Sequence, residues 1–403
     1  MLKSLIMDSC ISQLQQAPLR AVLSTQGTFH FFDLARELET RKSLLQIYST
    51  YHWGRLKRES LSRDKVSCFP VVHPALMLMG RYNIHLPRPF NWQANRMNAV
   101  LFDRWVAAHL PECDVFSALS SSGLLSGKAA KRRGIPYICD RGSSHIRYQD
   151  RLLAEEYSRW GCKQTACDPF IMDREEEEYA TADAIAVPSE FVRRSFIEMG
   201  TDPAKLHKIP YGVNLQRFAP DAEPDPMRFE IVFAGQVGFR KGLPYLLDAF
   251  KRLRHPGKRL RIAGAVQPEM QRYLEHNLPE GVEILGSIPQ PALRHIFSTS
   301  HVLVLPSLEE GLALVQGQAM ACGCAIISST NTGGSDLFRV GIDGFEIPIR
   351  SADAILERLE ELADCPELLL KMRSSALERV KQLGGWKEYG DSYLAMMREL
   401  TTR

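Results

Sequence analysis

Short apolar runs alternate with stretches of helical periodicity along most of the chain, the pattern of strand–helix–strand units. Residues 20–24 (RAVLS) predict a buried strand, followed after Thr25-Gln26-Gly27-Thr28 by a helix through Leu34 and Leu38. Further strands are predicted over 45–50 (LQIYST), 114–119 (DVFSAL), 136–139 (PYIC) and 184–187 (AIAV), with a basic helix between Ser120-Ser121-Ser122-Gly123 and Gly134. The segment from Tyr211 to Met227 breaks this rhythm with Gly212, Pro220, Pro224, Pro226 and several acids, the composition of a linker. A second series of strands is predicted at 230–234, 259–263, 282–285, 302–305 and 324–327, most of them closed directly by a glycine or proline. Their β-branched, two-sided apolar character fits parallel sheets covered by helices. The expectation is an α/β chain of two doubly wound, Rossmann-like domains, residues 1–215 and 227–385, with a last helix over 386–403. Ligands of such folds sit at the carboxyl ends of the strands, so the natural site is a cleft that the two domains face across. No internal repeat of 20–50 residues is present.

Composition changes this picture little. The 403 residues suffice for two or three domains at about 150 residues each. With 45% hydrophobic and 24% charged residues, the chain has ordinary globular usage. A net charge of +3 gives no ground for expecting a nucleic-acid partner. The nine cysteines (Cys10, Cys68, Cys113, Cys139, Cys162, Cys167, Cys322, Cys324 and Cys365) show no C-x2-C spacing and point to a reducing cytosol. The opening MLKSLIMDSCISQLQQAPLR is interrupted by Asp8, Ser9 and Gln13 and is a poor signal peptide. No run approaches the ~18 apolar residues of a membrane span. The expected location is cytoplasmic, with peripheral attachment to the inner face of the plasma membrane left open.

Two segments carry candidate chemistry. Gly235-Gln236-Val237-Gly238-Phe239-Arg240-Lys241-Gly242 follows a strand and precedes the apolar helix 243–253. Such a turn offers free N–H groups at a positive helix end, and Arg240 and Lys241 add fixed positive charge that suits a diphosphate. The competing reading is a plain turn with solvated basic residues, and neither dinucleotide nor Walker A spacing is met. In the second segment, Pro306 to Gly323, Glu309 and Glu310 stand just before a helix, where helix capping is the ordinary explanation for an acid. Gln318 lies eight residues after Glu310, about 12 Å along a helix rising 1.5 Å per residue. Among Leu314, Val315, Ala319 and Met320 it would need hydrogen-bond partners if buried, and a ribose could supply them.

This second segment resembles the signature of the retaining glycosyltransferases of family 4, which have the GT-B fold. The signature is E-G-F-G-L-x-x-x-E-A-M-A-C-G; Glu310 matches its first glutamate, and Gln318 stands where the second belongs. Residues 209–218 (IPYGVNLQRF) resemble the family's linker, 182–189 (ADAIAVPS) the strand that closes its first domain, and 331–336 (NTGGSD) the loop that faces donor sugar and phosphates. The turn at 235–242 is similar to the family's phosphate turn, with Gln236 in place of its arginine and Arg240 as the replacement charge. The resemblance implies that Glu310 meets the hydroxyls of the transferred sugar and that Gln318 meets the nucleotide ribose, since an amide both accepts and donates. It assigns donor contacts to Gly27, Thr28, Gly235, Arg240, Lys241, Ile288, Leu314, Gly333 and Gly334. At the family's histidine position this chain offers Asp140 or Arg141 and, later, His145, so Arg141 and His145 join Glu310 as the candidate catalytic groups; a turn with a satisfied histidine is the alternative. Ser120–Gly123 reads equally as acceptor contact or helix cap. In relatives the last helix crosses back onto the first domain.

The resulting expectation is a hexosyltransferase-type enzyme. It would move a sugar from a nucleotide-diphosphate sugar (UDP or GDP) to a hydroxyl of a glycan, a lipid-linked or a small-molecule acceptor, in polysaccharide or glycolipid biosynthesis. No Asp-x-Asp motif stands out, so no metal and no further cofactor is expected. A non-catalytic GT-B scaffold that binds nucleotide or glycan is the alternative, and a phosphorylase of the same fold a second. The stretch Arg55, Lys57, Arg58, Arg63, Lys65 is read as a solvated loop with anionic lipid as the other option. Glu175–Glu178 is read as a solvated helix face, and Trp53, Trp92 and Trp160 as packing residues.

Overall fold

The computed structural model describes residues 18–81, 87–162, 167–214 and 217–402. The opening segment read above as a poor signal peptide lies, up to Ala17, outside the described residues, as does the proposed domain limit at residue 215. Two sheets are present among the described residues. The first contains β1 (Ala21–Thr25), β2 (Leu44–Ser49), β3 (Val66–Cys68), β4 (Val115–Leu119), β5 (Tyr137–Asp140), β6 (Ala184–Val187) and β7 (Leu206–Lys208), in the order β3-β2-β1-β4-β5-β6-β7. The second contains β8 (Phe229–Ala234), β9 (Lys258–Ala263), β10 (Val282–Gly286), β11 (Val302–Leu305), β12 (Ala325–Ser329) and β13 (Gly344–Ile347), in the order β10-β9-β8-β11-β12-β13. The pairings of β8 with β9 and β11, and of β11 with β12, are parallel. This is the doubly wound α/β architecture expected from the sequence.

The second sheet shows why its strands read as continuous apolar runs. Along β8, Phe229, Ile231 and Phe233 pack into one core, and Val232 and Ala234 into another on the opposite face. Along β11, Val302 and Val304 join the first core and Leu303 the second. Alternate side chains of a strand point to opposite faces, so a sheet covered on both sides needs apolar residues at every position. Three strands escape the sequence reading: β3, β7 and β13. Each has three or four residues and lies at a sheet edge, where one neighbour and partial burial demand little apolar signal.

The chain divides into two compact units. One takes Met1–Cys139 with Glu177–Asp183 and Gly390–Arg403, the other Asp140–Glu176 with Ala184–Tyr389. Within the first, the hydroxyl of Tyr393 meets that of Ser117 on β4 at 2.8 Å, and Asp391 pairs with Arg41 at 2.7 Å. In the same unit Arg55 lies over the ring of Tyr51 and Arg63 over Trp53, so two cations of the basic stretch cover aromatic faces. In the second, Trp160 stacks on Phe239 at 5.5 Å and donates its indole N–H to Glu156 at 2.7 Å.

The reading of Glu175–Glu178 as a solvated face is corrected. Glu175 is 2% exposed and pairs with Arg141 at 2.7 Å. Glu178, fully buried, accepts the N–H groups of Ser121 and Gly123 at 2.7 and 3.1 Å. Four successive acids look solvated in a linear sequence, but a helix turns 100° per residue, so the first and fourth of the run share an inward face. Among the described residues no helix is long and apolar enough to cross a membrane.

Candidate functional site

The order of the second sheet changes direction between β8 and β11, and the loops leaving these strands diverge to form a crevice. A cavity of about 450 Å³ occupies that position. Ala234 and Gly235 line it from the end of β8, Ala263 and Gly264 from β9, Ser287, Ile288 and Leu293 from beyond β10, and Glu310 and residues 312–315 from beyond β11. Its wall is mostly aliphatic, with Lys241 and Glu310 as its charged groups. Leu314 and Val315 are the first two residues of the helix Leu314–Ala321. First-turn N–H groups have no partner inside their own helix, and this end carries the positive pole of the dipole.

The chain builds this crevice by tying three loops together. Leu308 donates its N–H to Arg240 O at 2.8 Å, which joins the β11 loop to the turn after β8. Glu310 N–H meets Asn331 O at 3.0 Å and Ala313 N–H meets Thr332 O at 3.1 Å, which joins it to the loop after β12. Gly242 closes the turn at φ +68°, and a Cβ there would lie 2.0 Å from Pro306 O. A side chain at Gly311 would lie 1.8 Å from Gly142 O, so main chain packs directly on main chain where the β11 loop meets the β5 loop.

Two adjacent acids then do different things. Glu310 ion-pairs with Lys241, whose aliphatic chain crosses Gly235: a Cβ on that glycine would lie 3.4 Å from Lys241 Cε. Glu309 turns the other way and is fully buried. It accepts from Ser143 Oγ at 2.7 Å, Ser144 N at 2.9 Å, Ser144 Oγ at 2.8 Å and Gln149 Nε2 at 2.9 Å, and pairs with Arg240 at 2.9 Å. Burial pushes its carboxyl up, but the Arg240 charge and the serine donors outweigh burial and hold it at about 2. The sequence alone reads Glu309 as a helix cap. Its use as the knot between the β5 loop and the β11 loop has no local signal, because its partners are about 165 residues away.

Arg240 stands beside the cavity with its guanidinium on Glu309 and 3.8 Å from Glu310. Arg141, nearly buried, pairs with Glu175 and donates to Ser144 O and Gln149 Oε1. His145 caps the helix Ile146–Arg159, its Nδ1 accepting from Arg147 N at 3.2 Å, with its ring edge-on to Phe196. Gly333, at φ +70°, precedes the short helix Gly334–Leu337, and a Cβ there would lie 2.8 Å from Leu312 Cδ1. Gln318 is half-buried and does not line the cavity, and its side-chain amide has no hydrogen-bond partner among the described residues. The fully buried amide of this helix is Gln316, which donates to Thr332 O at 3.1 Å. Gly27 and Thr28 belong to the other unit, beyond β1. There Gly27 N–H meets Thr50 Oγ1 at 3.1 Å, and Gly27 O accepts from Ser49 Oγ at 2.7 Å.

Burial lowers His145 to about 4; the charges of Arg141 and Arg147 add to this while Glu176 opposes it. Burial, with the charge of Arg373, also lowers His301 to about 4, and His301 Nδ1 accepts from Glu230 N at 3.0 Å. Both imidazoles are therefore neutral in the folded chain at pH 7. The unfolded chain protonates them near 6.5, so stability is full above that pH and falls as pH drops from 6.5 toward 4. Urea midpoints between pH 7.5 and 4.5 are expected to decline below 6.5, with a shallower decline in His145→Gln and in His301→Gln. An unchanged slope in both variants contradicts the assignment.

Family models match the chain in order: Glycosyltransferase Family 4 over residues 28–217 and Glycosyl transferases group 1 over 216–379. The chain is 26% identical over 301 residues to D-inositol 3-phosphate glycosyltransferase 1 of Catenulispora acidiphila, covering 69% of this chain and 70% of that one. It is 26% identical over 299 residues to the putative glycosyltransferase EpsD of Bacillus subtilis, covering 68% and 73%. Among solved structures, HepE of Anabaena in complex with UDP and glucose superposes with a TM-score of 0.68 at 14% identity, covering 94% of this chain and all of that one. Sucrose-phosphate synthase of Thermosynechococcus elongatus gives 0.68 at 17% identity, covering 95% and 99%. At these identities the structural likeness is one of fold. Sequence signature, doubly wound sheets and family models agree, and the chain belongs to the GT-B glycosyltransferases of family 4, enzymes of the hexosyltransferase type.

Proposed function

We propose that this chain transfers a sugar, with retention of anomeric configuration and without a metal, from a nucleoside diphosphate sugar to a hydroxyl group. The acceptor class is a glycan, a lipid-linked glycan or a small molecule, in polysaccharide or glycolipid synthesis. The observation that carries the reading is the meeting of Lys241 and Glu310 in an otherwise aliphatic cavity at the carboxyl ends of β8–β11. The aliphatic wall suits a nucleoside. Lys241 and the N–H groups of Leu314 and Val315 suit a diphosphate, and the carboxylate of Glu310 suits sugar hydroxyls. The complexes of HepE with UDP and with UDP-glucose support a nucleotide-sugar donor. Glu310 is a donor contact in this reading, and Gly235, Ile288, Gly333 and Gly334 give the donor close approach to backbone. Gln318 is assigned the ribose and Arg240 the donor phosphate; for Gly27 and Thr28 the resemblance to the family alone supports a contact with donor phosphate or acceptor. Arg141 and His145 act from the loop that Glu309 ties to the cavity, His145 as a neutral imidazole.

In the transfer, the bond between the anomeric carbon and the diphosphate oxygen breaks and its electron pair leaves with the diphosphate. The acceptor oxygen forms the new bond on the same face, and its proton passes to the departing phosphate oxygen. Negative charge grows on the leaving group, where Lys241 and the helix end stand to stabilise it. In the same reading the chain works in the cytoplasm, and Lys57 and Arg58, both exposed, offer peripheral contact with a membrane. A thermal-shift panel of UDP, GDP, ADP and their common sugar conjugates, run in EDTA, tests the donor. Ligand at 100 times its Kd adds about 2.7 kcal/mol. One base series is expected to raise the melting temperature without metal, and no shift with any of them removes the donor reading. The anomeric proton coupling of the product tests retention.

A further inference from the structure

The cavity's two charged groups are spent on each other. Lys241 Nζ takes Glu310 Oε1 as its acceptor, and the two side chains are only 15% and 11% exposed. Arg240, the nearest other cation, is held by Glu309 at 2.9 Å and stands 3.8 Å from Glu310. While this pair stands, part of the lysine's charge is offset by Glu310 and one of the two carboxylate oxygens is already engaged, so both groups meet a donor at a disadvantage.

We infer that the Lys241–Glu310 pair is a latch in which Glu310 competes with the donor's diphosphate for Lys241. The inference rests on the donor site proposed above and adds a device to it. An arriving diphosphate draws Lys241 away and thereby frees Glu310, so the sugar contact becomes available only when a diphosphate is present. Free sugars and sugar monophosphates engage Lys241 less strongly and leave the latch shut. After transfer, Glu310 loses its sugar partner and reclaims Lys241, which weakens the hold on the product nucleoside diphosphate and speeds its release. The aliphatic chain of Lys241 lies across Gly235, so the swing from carboxylate to phosphate is a rotation of its last bonds with the turn kept in place.

The latch predicts a gain from a loss. Calorimetric titration of UDP, GDP and ADP in EDTA is run on wild type, Glu310→Gln, Lys241→Met and the double variant, with thermal melts as folding control. The nucleotide that binds wild type is expected to bind Glu310→Gln more tightly by about two- to fivefold, the upper part of the range that ion pairs near the surface carry. The matching uncharged nucleoside is expected to bind both equally. In the Lys241→Met background the change at Glu310 is expected to have less than half that effect, which separates a latch from simple repulsion between carboxylate and diphosphate. Glu310→Asp, with its carboxylate drawn back by one methylene, is expected to tighten binding as well and carries the comparison if the glutamine variant does not fold. Equal or weaker diphosphate binding in Glu310→Gln overturns the latch while leaving the donor site standing. A full gain that persists without Lys241 also overturns it. Failure of all three nucleotides to bind any variant overturns the donor reading and the latch together.

Discussion

Replacing Lys241 by methionine is expected to lower kcat about 100- to 1,000-fold, the cost of losing one group that stabilises developing negative charge in a sheltered site. The cavity is otherwise aliphatic, so water stabilises the leaving diphosphate poorly there and a fixed cation counts for more. Arg240 does not take over, because its guanidinium is held by the buried carboxylate of Glu309 at 2.9 Å. Methionine keeps the length and apolar stem of lysine, so the packing over Gly235 is preserved and the melting temperature is expected to move little. Initial rates at saturating acceptor, measured beside a thermal melt, decide the matter. A kcat within about fivefold of wild type (~1 kcal/mol of barrier) shows that Lys241 does not carry the leaving group. The loss is expected in kcat more than in KM, since the charge to be stabilised grows on the way to the transition state.

Glu309→Ala is expected to destabilise the second unit by about 3–5 kcal/mol, the cost of breaking a buried charge pair by removing one partner. The alanine leaves Arg240 without its counter-charge. It also strands three donors, Ser143 Oγ, Ser144 N and Ser144 Oγ, that lie within 2.7–2.9 Å of one carboxylate oxygen. Glu309→Gln is expected to be nearly as harmful, because an amide nitrogen must face either the guanidinium or one of those donors. Since the folded chain holds Glu309 near 2 and the unfolded chain near 4.5, its contribution is present above pH 4.5 and is lost as pH falls toward 2. Urea titration of wild type and both variants measures the loss; a cost below about 1 kcal/mol, the level of an exposed pair, sinks the claim that Glu309 is the knot.

The site was legible where its chemistry lies in consecutive residues. Gly235, Lys241 and Glu310 stand out from local patterns, Ile288 and Leu314 follow from the resemblance to the family, and all five line one cavity. Each sits at the end of a strand that the hydrophobic rhythm exposes, and the topology of a parallel sheet brings strand ends together. Legibility failed where a partner comes from far along the chain. Glu309 and Glu310 are the same residue type in adjacent positions, yet one is sealed from water and one faces the cavity. The difference comes from Ser143, Ser144 and Gln149, which no spacing connects to residue 309. The same holds for Glu175 and Arg141. Gln316 and Gln318 make the point on a single helix. The sequence draws attention to Gln318 among apolar neighbours, but the helix begins at Leu314, and this phase turns Gln316 into the interior. Residues two apart on a helix differ by about 200°, so Gln316 and Gln318 lie on nearly opposite faces, and packing against the Thr332 loop decides which amide is buried.

By itself the sequence determined the doubly wound architecture, through the period of its apolar residues. It also pointed to the family, through the resemblance of several short motifs in the family's order. These are local properties: a strand, a glycine turn and a helix start are each specified within about ten residues. The tertiary structure alone decided the state of each charge. Whether an acid is a cap, a knot or a ligand-facing group depends on how much water is excluded and which cation or N–H group stands within 3 Å, and those partners arrive only when distant segments pack. In the turn after β8, Arg240 is taken by Glu309 and Lys241 is left to Glu310, because burial makes an unpaired carboxylate at position 309 too costly to tolerate.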